Sequence, residues 1–168
     1  MNPSVPFVAR RVMRTRHQEY TAPPAVVFPL HGFREEQAWA VGWEPEMVFP
    51  PDGEPVEGAV FMVRRGGRDE IWVLTTWDPA GGRAGYVHVT PDRDVTDLRI
   101  RVSGPERGPT HVEVTYTWTG LSADGNAFVE AQTEDDFRRW MGEWEEEMAY
   151  YLRTGTKLEG RTTVDGPA

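Results

Sequence analysis

The feature that most constrains the fold of this chain is an amphipathic segment near its C-terminus, residues 133–155. Its apolar residues recur at spacings of three and four, which places them on one side of an α-helix. Thr133 is a suitable N-cap and Gly155 a suitable left-handed stop, so the helix is predicted to lie between them. The apolar side is broad and consists of Phe137, Trp140, Met141, Trp144, Met148, Tyr151 and Leu152. A helix with such a side needs a large apolar partner surface.

The chain upstream of this helix has the residue alternation of β-strands and supplies that surface. The alternation is clearest where Leu98, Ile100 and Val102 are interleaved with Arg99 and Arg101. One apolar and one polar face is typical of an antiparallel sheet covered on one side. Gly- and Pro-rich turns separate the segments. We predict a first strand over 12–21 and five consecutive strands over 59–65, 70–78, 84–90, 95–103 and 110–121.

Two short helices and a long connection are predicted between the first strand and this series. The run 22–28 has proline where a helix begins, and Pro29 ends that helix because proline lacks the amide hydrogen and clashes with the preceding turn. A second short helix is expected over 35–41. The connection over 44–58 is rich in Pro and Gly and has the length of loops that form mouths or lids. Residues 122–126 are interpreted as a turn, 1–155 as one domain and 156–168 as a disordered tail.

Composition narrows the classes of function. The 168 residues carry a formal charge of −9 and show no basic stripe interleaved with aromatics, so nucleic acid is not an expected partner. The chain has no cysteine, which excludes disulfides and thiolate chemistry. No apolar run approaches the roughly 20 residues that span a bilayer, and residues 1–10 lack the apolar core of a signal peptide. A soluble, cytoplasmic protein without an integral membrane segment is expected.

Four segments carry a resemblance to a known superfamily. They are the run 20–28 after the first strand, Trp39 with Trp43, the run 115–122, and the helix 137–152 with its closing Thr-Gly. In this order they resemble the START-like helix-grip superfamily, also called SRPBCC, which includes polyketide cyclase/dehydrase-like and lipid-transfer domains.

The resemblance covers nearly the whole chain from residue 12 to 155 and implies an α+β fold. In that fold a curved antiparallel sheet of about seven strands wraps around a long C-terminal helix, with two short helices after the first strand. It further implies a short additional strand near 127–132 and a cavity for an apolar ligand. It transfers no catalytic residue, because the superfamily shares no single catalytic motif.

His88 is the candidate catalytic residue. It shares a strand face with Tyr86 and Thr90. If that face lines the cavity, His88 is placed to act as a general acid or base near neutral pH. If Val87 and Val89 point inward instead, His88 is solvated.

Other polar groups are expected at the surface. His17 with Glu19, and His111 with Glu113, share strand faces, but the spacing offers no third ligand, so exposed residues are expected there and no metal site. The acidic residues Glu143 and Glu145 to Glu147 are expected to form a hydrated helix face that points away from the cavity, and not a catalytic pair. No cofactor is predicted.

The aromatic side of the helix is interpreted either as ordinary core or as part of an apolar ligand site. The first functional hypothesis is therefore binding of an apolar or amphipathic small molecule or lipid in a cavity between sheet and helix. The second is a cyclase, dehydratase or hydrolase that uses the same cavity. The third is a protein-interaction or regulatory module, and a homodimer or protein partner stays open. The candidate ligand-binding residues are Trp39, Trp43, Phe61, Trp72, Tyr86, Tyr116, Trp118, Phe137, Trp140, Met141, Trp144 and Met148.

Overall fold

The computed structural model describes residues 6–160, in which seven antiparallel strands form one curved sheet. Strands β2 to β7 follow one another as a meander, and β1 pairs with β7, so the order across the sheet is β1-β7-β6-β5-β4-β3-β2. The strands are β1 Arg11–Tyr20, β2 Glu46–Phe49, β3 Val60–Arg65, β4 Arg68–Asp78, β5 Arg83–Thr90, β6 Asp94–Ser103 and β7 Thr110–Gly120. The antiparallel meander and the boundaries predicted for β1 and β3 to β7 are confirmed within two residues.

Three α-helices and two 3₁₀ helices accompany the sheet. They are α1 Pro24–Val27, 3₁₀ helices at Phe28–His31 and Glu35–Ala38, α2 Ala123–Glu130 and α3 Glu134–Thr154. Pro24 occupies the first position of α1, where its missing amide hydrogen costs nothing. The α-helical hydrogen bonding stops just before Pro29, as predicted, and the chain continues as a 3₁₀ turn.

Two predictions about the connections are wrong. The connection over 44–58 contains the edge strand β2, and this is the seventh strand of the sheet. Residues 122–126 do not form a simple turn and 127–132 do not form a strand, because this part of the chain forms α2. Ser122 explains the helix, since its hydroxyl caps the first turn by accepting a hydrogen bond of 3.0 Å from the amide of Gly125.

The predicted C-terminal helix is confirmed as α3. The hydroxyl of Thr133 accepts a hydrogen bond of 3.1 Å from the amide of Asp136, and Gly155 closes the helix with φ 71°. Its apolar side lies against the concave face of the sheet. Along β1, the Gln18 side chain donates a hydrogen bond of 2.9 Å to the carbonyl of Met141. Because Gln18 and Met141 are both buried, this bond fixes the helix against the edge of the sheet.

The concave face is set by the alternation along each strand. In β5, Tyr86, His88 and Thr90 are buried beneath the helix, while Val87 and Val89 lie on the other face and are half-buried. In β4, Glu70, Trp72 and Leu74 are buried in the same way. The inward orientation of His88, which the sequence left open, is thereby settled.

No helix among residues 6–160 is both long enough and apolar enough to cross a membrane. The N-terminal part of the predicted domain, 1–5, and most of the predicted tail, 161–168, lie outside the described residues.

Candidate functional site

One side of the interior is an aromatic layer on strands β3 to β5. Phe61, Trp72 and His88 lie directly opposite one another on neighbouring strands. Their rings stack, with centroids 5.7 Å apart for Phe61–Trp72 and 4.2 Å apart for Trp72–His88. Tyr86 meets the edge of this stack at 6.1 Å from Trp72. Phe33 and Trp43, from the segment between β1 and β2, pack on Phe61 with ring centroids 4.8 Å and 6.0 Å away. We call Phe33, Trp43, Phe61, Trp72 and Tyr86 the strand wall.

A second aromatic layer joins β7 to α3. Tyr116 and Trp118 are two residues apart on β7 and stack at 5.3 Å. Phe137 contacts both of them edge-on, and Trp140 lies 4.9 Å from Tyr116. We call Tyr116, Trp118, Phe137 and Trp140 the helix wall.

A third contact connects the middle of α3 to the short helices. Trp144 lies 5.4 Å from Trp39 and meets the ring of His31 edge-on at 5.8 Å. Trp39 is held by a hydrogen bond of 2.8 Å from its indole to the Leu30 carbonyl. All twelve residues predicted from the sequence to line a ligand site therefore contribute to the interior. Ten are buried and Trp140 and Trp144 are half-buried.

Glu36 is a half-buried carboxyl that lies near one tyrosine of each wall. Burial raises the pKa of the Tyr86 and Tyr116 hydroxyls, and the charge of Glu36 is the next cause in both cases. Since Tyr86 belongs to the strand wall and Tyr116 to the helix wall, the Glu36 carboxyl is close to both. Burial raises the pKa of Glu36 itself to about 8, although the charge of Arg65 and a hydrogen bond from the Trp144 side chain favour its ionised form. The carboxyl is therefore mostly protonated near neutral pH.

Arg65 reaches the same space from β3. Its side chain follows Phe61 and Val63 on the concave face, and it is half-buried. Burial lowers the pKa of His88 well below the usual value, and the charge of Arg65 lowers it further. Arg65 also lowers the pKa of Tyr116. Its guanidinium thus acts on Tyr116 of the helix wall and on His88, which stacks on Trp72 of the strand wall.

Two buried imidazoles complete the interior. His88 is 5% exposed and its Nδ1 has no hydrogen-bond partner among the described residues. His31 is 1% exposed, its Nδ1 lies 3.2 Å from the Val27 carbonyl, and its Nε2 has no partner there either. Burial is the main cause that lowers the pKa of His31 to about 4. Both rings are neutral at physiological pH, so each offers one donor and one acceptor nitrogen.

A buried ion network closes one end of the concave face. Arg93 contacts Asp94 at 2.7 Å and Glu70 at 3.8 Å. Glu70 accepts a hydrogen bond of 3.0 Å from the Trp72 indole, and Asp94 accepts one of 2.7 Å from Thr96. The charges of this network are compensated within it, and the hydrogen bond from Trp72 to Glu70 orients Trp72 in the strand wall.

The other two histidines lie on the opposite, outer face. His17 and His111 are exposed, as predicted, and Nδ1 of His111 lies 2.9 Å from a Glu19 carboxylate oxygen across the β1–β7 pair. Within residues 6–160 no three metal-ligating side chains converge. An open cleft of about 520 Å³ adjoins both histidines. It lies away from the aromatic walls and its rim carries charges of both signs, so we place the candidate site in the interior.

One acidic residue of α3 departs from the prediction. Glu147, expected on a hydrated face with Glu145, is only 9% exposed. Its carboxylate accepts a hydrogen bond of 3.0 Å from the Val41 amide, which belongs to the segment that crosses over the helix. Burial there follows from this crossing segment, which the spacing along α3 alone does not reveal.

Comparison with known proteins gives a result for structure and none for sequence. No protein-family model matches the chain, and no curated protein matches its sequence. The X-ray structure of norcoclaurine synthase from Thalictrum flavum superposes with a TM-score of 0.64 at 9% identity, covering 87% of this chain and 88% of that one. The same protein in complex with dopamine and hydroxybenzaldehyde gives 0.59 at 9% identity, with coverages of 84% and 88%.

Two further structures agree. An uncharacterised protein from Rhizobium leguminosarum superposes with a TM-score of 0.58 at 13% identity, over 87% of this chain and 97% of that one. Ara h 8.0201 superposes with 0.55 at 14% identity, over 85% and 99%. The chain has the helix-grip fold. At these identities the likeness establishes the fold that the SRPBCC resemblance implied, and no activity.

Among the polar residues near the candidate site, Arg65, Glu36 and His31 were not predicted from the sequence. Arg65 was detectable, because it follows Phe61 and Val63 at steps of two on a strand with one buried face. Glu36 and His31 had no local signal. They lie in 3₁₀ turns, and only the packing of those turns under Trp144 brings them inside.

Proposed function

We propose that the protein binds an apolar or amphipathic small molecule between the concave face of the sheet and α3. The observation that carries this proposal is that two half-buried ionisable residues, Glu36 and Arg65, lie close to buried aromatic residues of the two walls. A ligand site in a protein is typically apolar and aromatic, with a few polar groups that orient the ligand. The strand wall and the helix wall supply the first part, and Glu36, Arg65 and His88 supply the second.

The energetic cost of these polar groups supports the proposal. A buried donor or acceptor without a partner costs about 1–3 kcal/mol. Two such nitrogens, on His31 and His88, lie in this interior. A core that served stability alone would contain apolar side chains at these positions. Their retention is explained if a ligand satisfies them.

The fold comparison is consistent with this function. Norcoclaurine synthase, which shares the helix-grip fold, has been crystallised in complex with dopamine and hydroxybenzaldehyde. Both are small aromatic molecules. Aromatic walls stack favourably on such rings, which makes flat or aromatic ligands suitable candidates here as well.

The proposal is tested with Nile red, an uncharged apolar dye, and a variant that narrows the interior. Leu98 lies opposite Tyr86 on one side and Tyr116 on the other, so Leu98→Trp places a bulky ring between the walls. Dye fluorescence should rise when the dye is added to the wild type. For Leu98→Trp, the apparent affinity for the dye should be roughly tenfold or more lower. Arg99→Trp is the matched control, because Arg99 is the exposed neighbour on the same strand.

Two measurements protect the interpretation. Leu98→Ala widens the same position and should retain dye binding, so loss in Leu98→Trp alone reflects blockage. Native mass spectrometry of freshly purified protein should show a bound mass that denaturing conditions remove. If the wild type neither binds the dye nor carries such a mass, the proposal is wrong.

Catalysis in the same interior is the second candidate, and the orientation of His88 favours it. Its neutral ring is buried on the concave face, where it stacks on Trp72, and its Nδ1 has no partner among the described residues. A neutral imidazole can accept a proton from a bound substrate. If a bound molecule is found to be converted, His88→Gln should abolish conversion and leave binding intact. Conversion at the wild-type rate in that variant would exclude His88 as the base.

A further inference from the structure

Arg65 is the unusual charge of the interior. Its neighbour Arg64 points outward and reaches Asp69 at 4.0 Å, and Arg93 is paired with two carboxylates. For Arg65, in contrast, no carboxylate of the described residues lies within ion-pairing distance. Its side chain nevertheless occupies the concave face, next to the buried Phe61 and Val63.

The groups around Arg65 leave its charge uncompensated. Glu36 is the carboxyl that acts on the same interior, but burial keeps it mostly protonated near neutral pH. His88 is neutral for the same reason. A guanidinium always carries its charge and presents several donors in a planar fork. The interior therefore offers an unpaired cation beside neutral groups.

His88 provides a second, independent indication. It is nine-tenths buried, faces the same space and has an Nδ1 with no hydrogen-bond partner among the described residues. Either ring nitrogen of a neutral histidine can carry the hydrogen. A group that accepts hydrogen bonds from both the guanidinium and this ring would satisfy both side chains.

We propose that the ligand is an amphipathic organic acid whose carboxylate binds Arg65 and His88 while its apolar body lies between the strand wall and the helix wall. This inference rests on the proposed function and names the class of ligand. A carboxylate matches the planar fork of a guanidinium with two parallel hydrogen bonds. Because His88 is buried and Arg65 half-buried, these hydrogen bonds are less weakened by water than they would be at an exposed site.

The state of Glu36 adds a pH dependence to the affinity. The charged and titratable groups facing it are Arg65 from β3, Glu147 from α3, and Tyr86 and Tyr116 from β5 and β7. Above its raised pKa, Glu36 becomes a carboxylate and competes for Arg65. The affinity for an organic acid should therefore fall as the pH rises above about 8, while the affinity for an uncharged analogue should not.

The test uses 11-(dansylamino)undecanoic acid and its methyl ester, which share one apolar body and differ in the charged group. Binding is followed by dansyl fluorescence to the wild type, Arg65→Gln and the control Arg64→Gln, whose side chain lies on the outer face. The wild type should prefer the acid by roughly tenfold or more, the range of a charge-assisted hydrogen bond. Arg65→Gln should lose this preference and retain ester binding, and Arg64→Gln should behave as the wild type.

The outcomes separate the two proposals. If neither probe binds the wild type, the proposed function itself fails. If both probes bind the wild type equally, or Arg65→Gln retains the preference for the acid, the acid assignment is overturned while ligand binding stands. Should Arg65→Gln fail to fold, the wild-type pH series decides, because an acid-to-ester preference that is constant from about pH 6 to pH 9 contradicts the role given to Arg65 and Glu36.

Discussion

Replacing Glu36 by Gln should change the pH dependence of stability in a defined direction. In the unfolded chain this carboxyl has a pKa of 4.5, and in the folded protein burial raises its pKa to about 8. Between these values the folded state holds a proton that the unfolded state has lost. Raising the pH therefore favours the unfolded state, and the wild type loses stability from about pH 4.5 up to about pH 8.

The size of this effect follows from the pKa difference. Each pH unit inside the window contributes at most about 1.4 kcal/mol. Between about pH 5 and about pH 8 the wild type should lose at most roughly 3.5 kcal/mol through Glu36, because the half-buried side chain keeps some contact with water. Gln cannot ionise, so Glu36→Gln should be close to the wild type in stability near pH 5 and more stable than it near pH 8. The buried histidines titrate in both proteins and cancel from the difference.

Urea denaturation followed by tryptophan fluorescence at four pH values measures this difference. Glu35→Gln is the matched control, because Glu35 is the adjacent residue of the same 3₁₀ helix and its side chain is exposed. That control should follow the wild-type curve. A difference between wild type and Glu36→Gln that stays constant with pH would show that the Glu36 carboxyl is in water, and the polar interior described above would be wrong.

Three further predictions concern packing and protonation. Gly125→Ala should lower the free energy of unfolding, measured by urea denaturation, by about 1–3 kcal/mol, because a Cβ there would lie 1.7 Å from the Arg93 carbonyl oxygen. Gly142→Ala is the control: a Cβ there would have no atom within 4 Å, so the variant should be more stable by about 0.5–1 kcal/mol. Thr133→Ala should cost about 1 kcal/mol through loss of the N-cap, and an unchanged midpoint would show that the cap is dispensable. Because burial lowers the pKa of His31 to about 4, the free energy of unfolding should fall as the pH drops from 6.5 toward that value. His31→Gln should weaken this dependence. If both proteins lose the same stability between pH 6.5 and pH 4, the His31 ring is not buried.

The parts of the fold that were predictable from the sequence are those with regular, local signals. The α3 stripe repeats its apolar residues over about four turns and carries its own cap and stop, and β6 alternates strictly through Leu98, Ile100 and Val102. Such periodicity reports directly which side an element buries. It also picks out the wall residues that lie on strands and on α3, but not Phe33, which lies outside any helix or strand.

The elements that were missed lack that periodicity. Strand β2 is four residues long, lies at the edge of the sheet and is flanked by Pro45 and Pro50, so composition indicates a loop. It becomes a strand because β3 offers it an edge with free hydrogen-bonding groups. Helix α2 was missed because Gly125 is a poor helix former, yet a side chain there would collide with the loop before β6. Both outcomes depend on tertiary contacts.

The polar part of the candidate site was unpredictable for a related reason. A glutamate in a short turn is normally hydrated, and only the packing of that turn under Trp144 turns Glu36 inward. Its effect on stability has the opposite pH dependence to that of His31. Ionisation of Glu36 destabilises the fold as the pH rises, and protonation of His31 destabilises it as the pH falls. Apolar replacements would remove both penalties. That this interior keeps them, with Arg65 unpaired among them, is what a site built for a polar headgroup requires and what a core built only for stability would avoid.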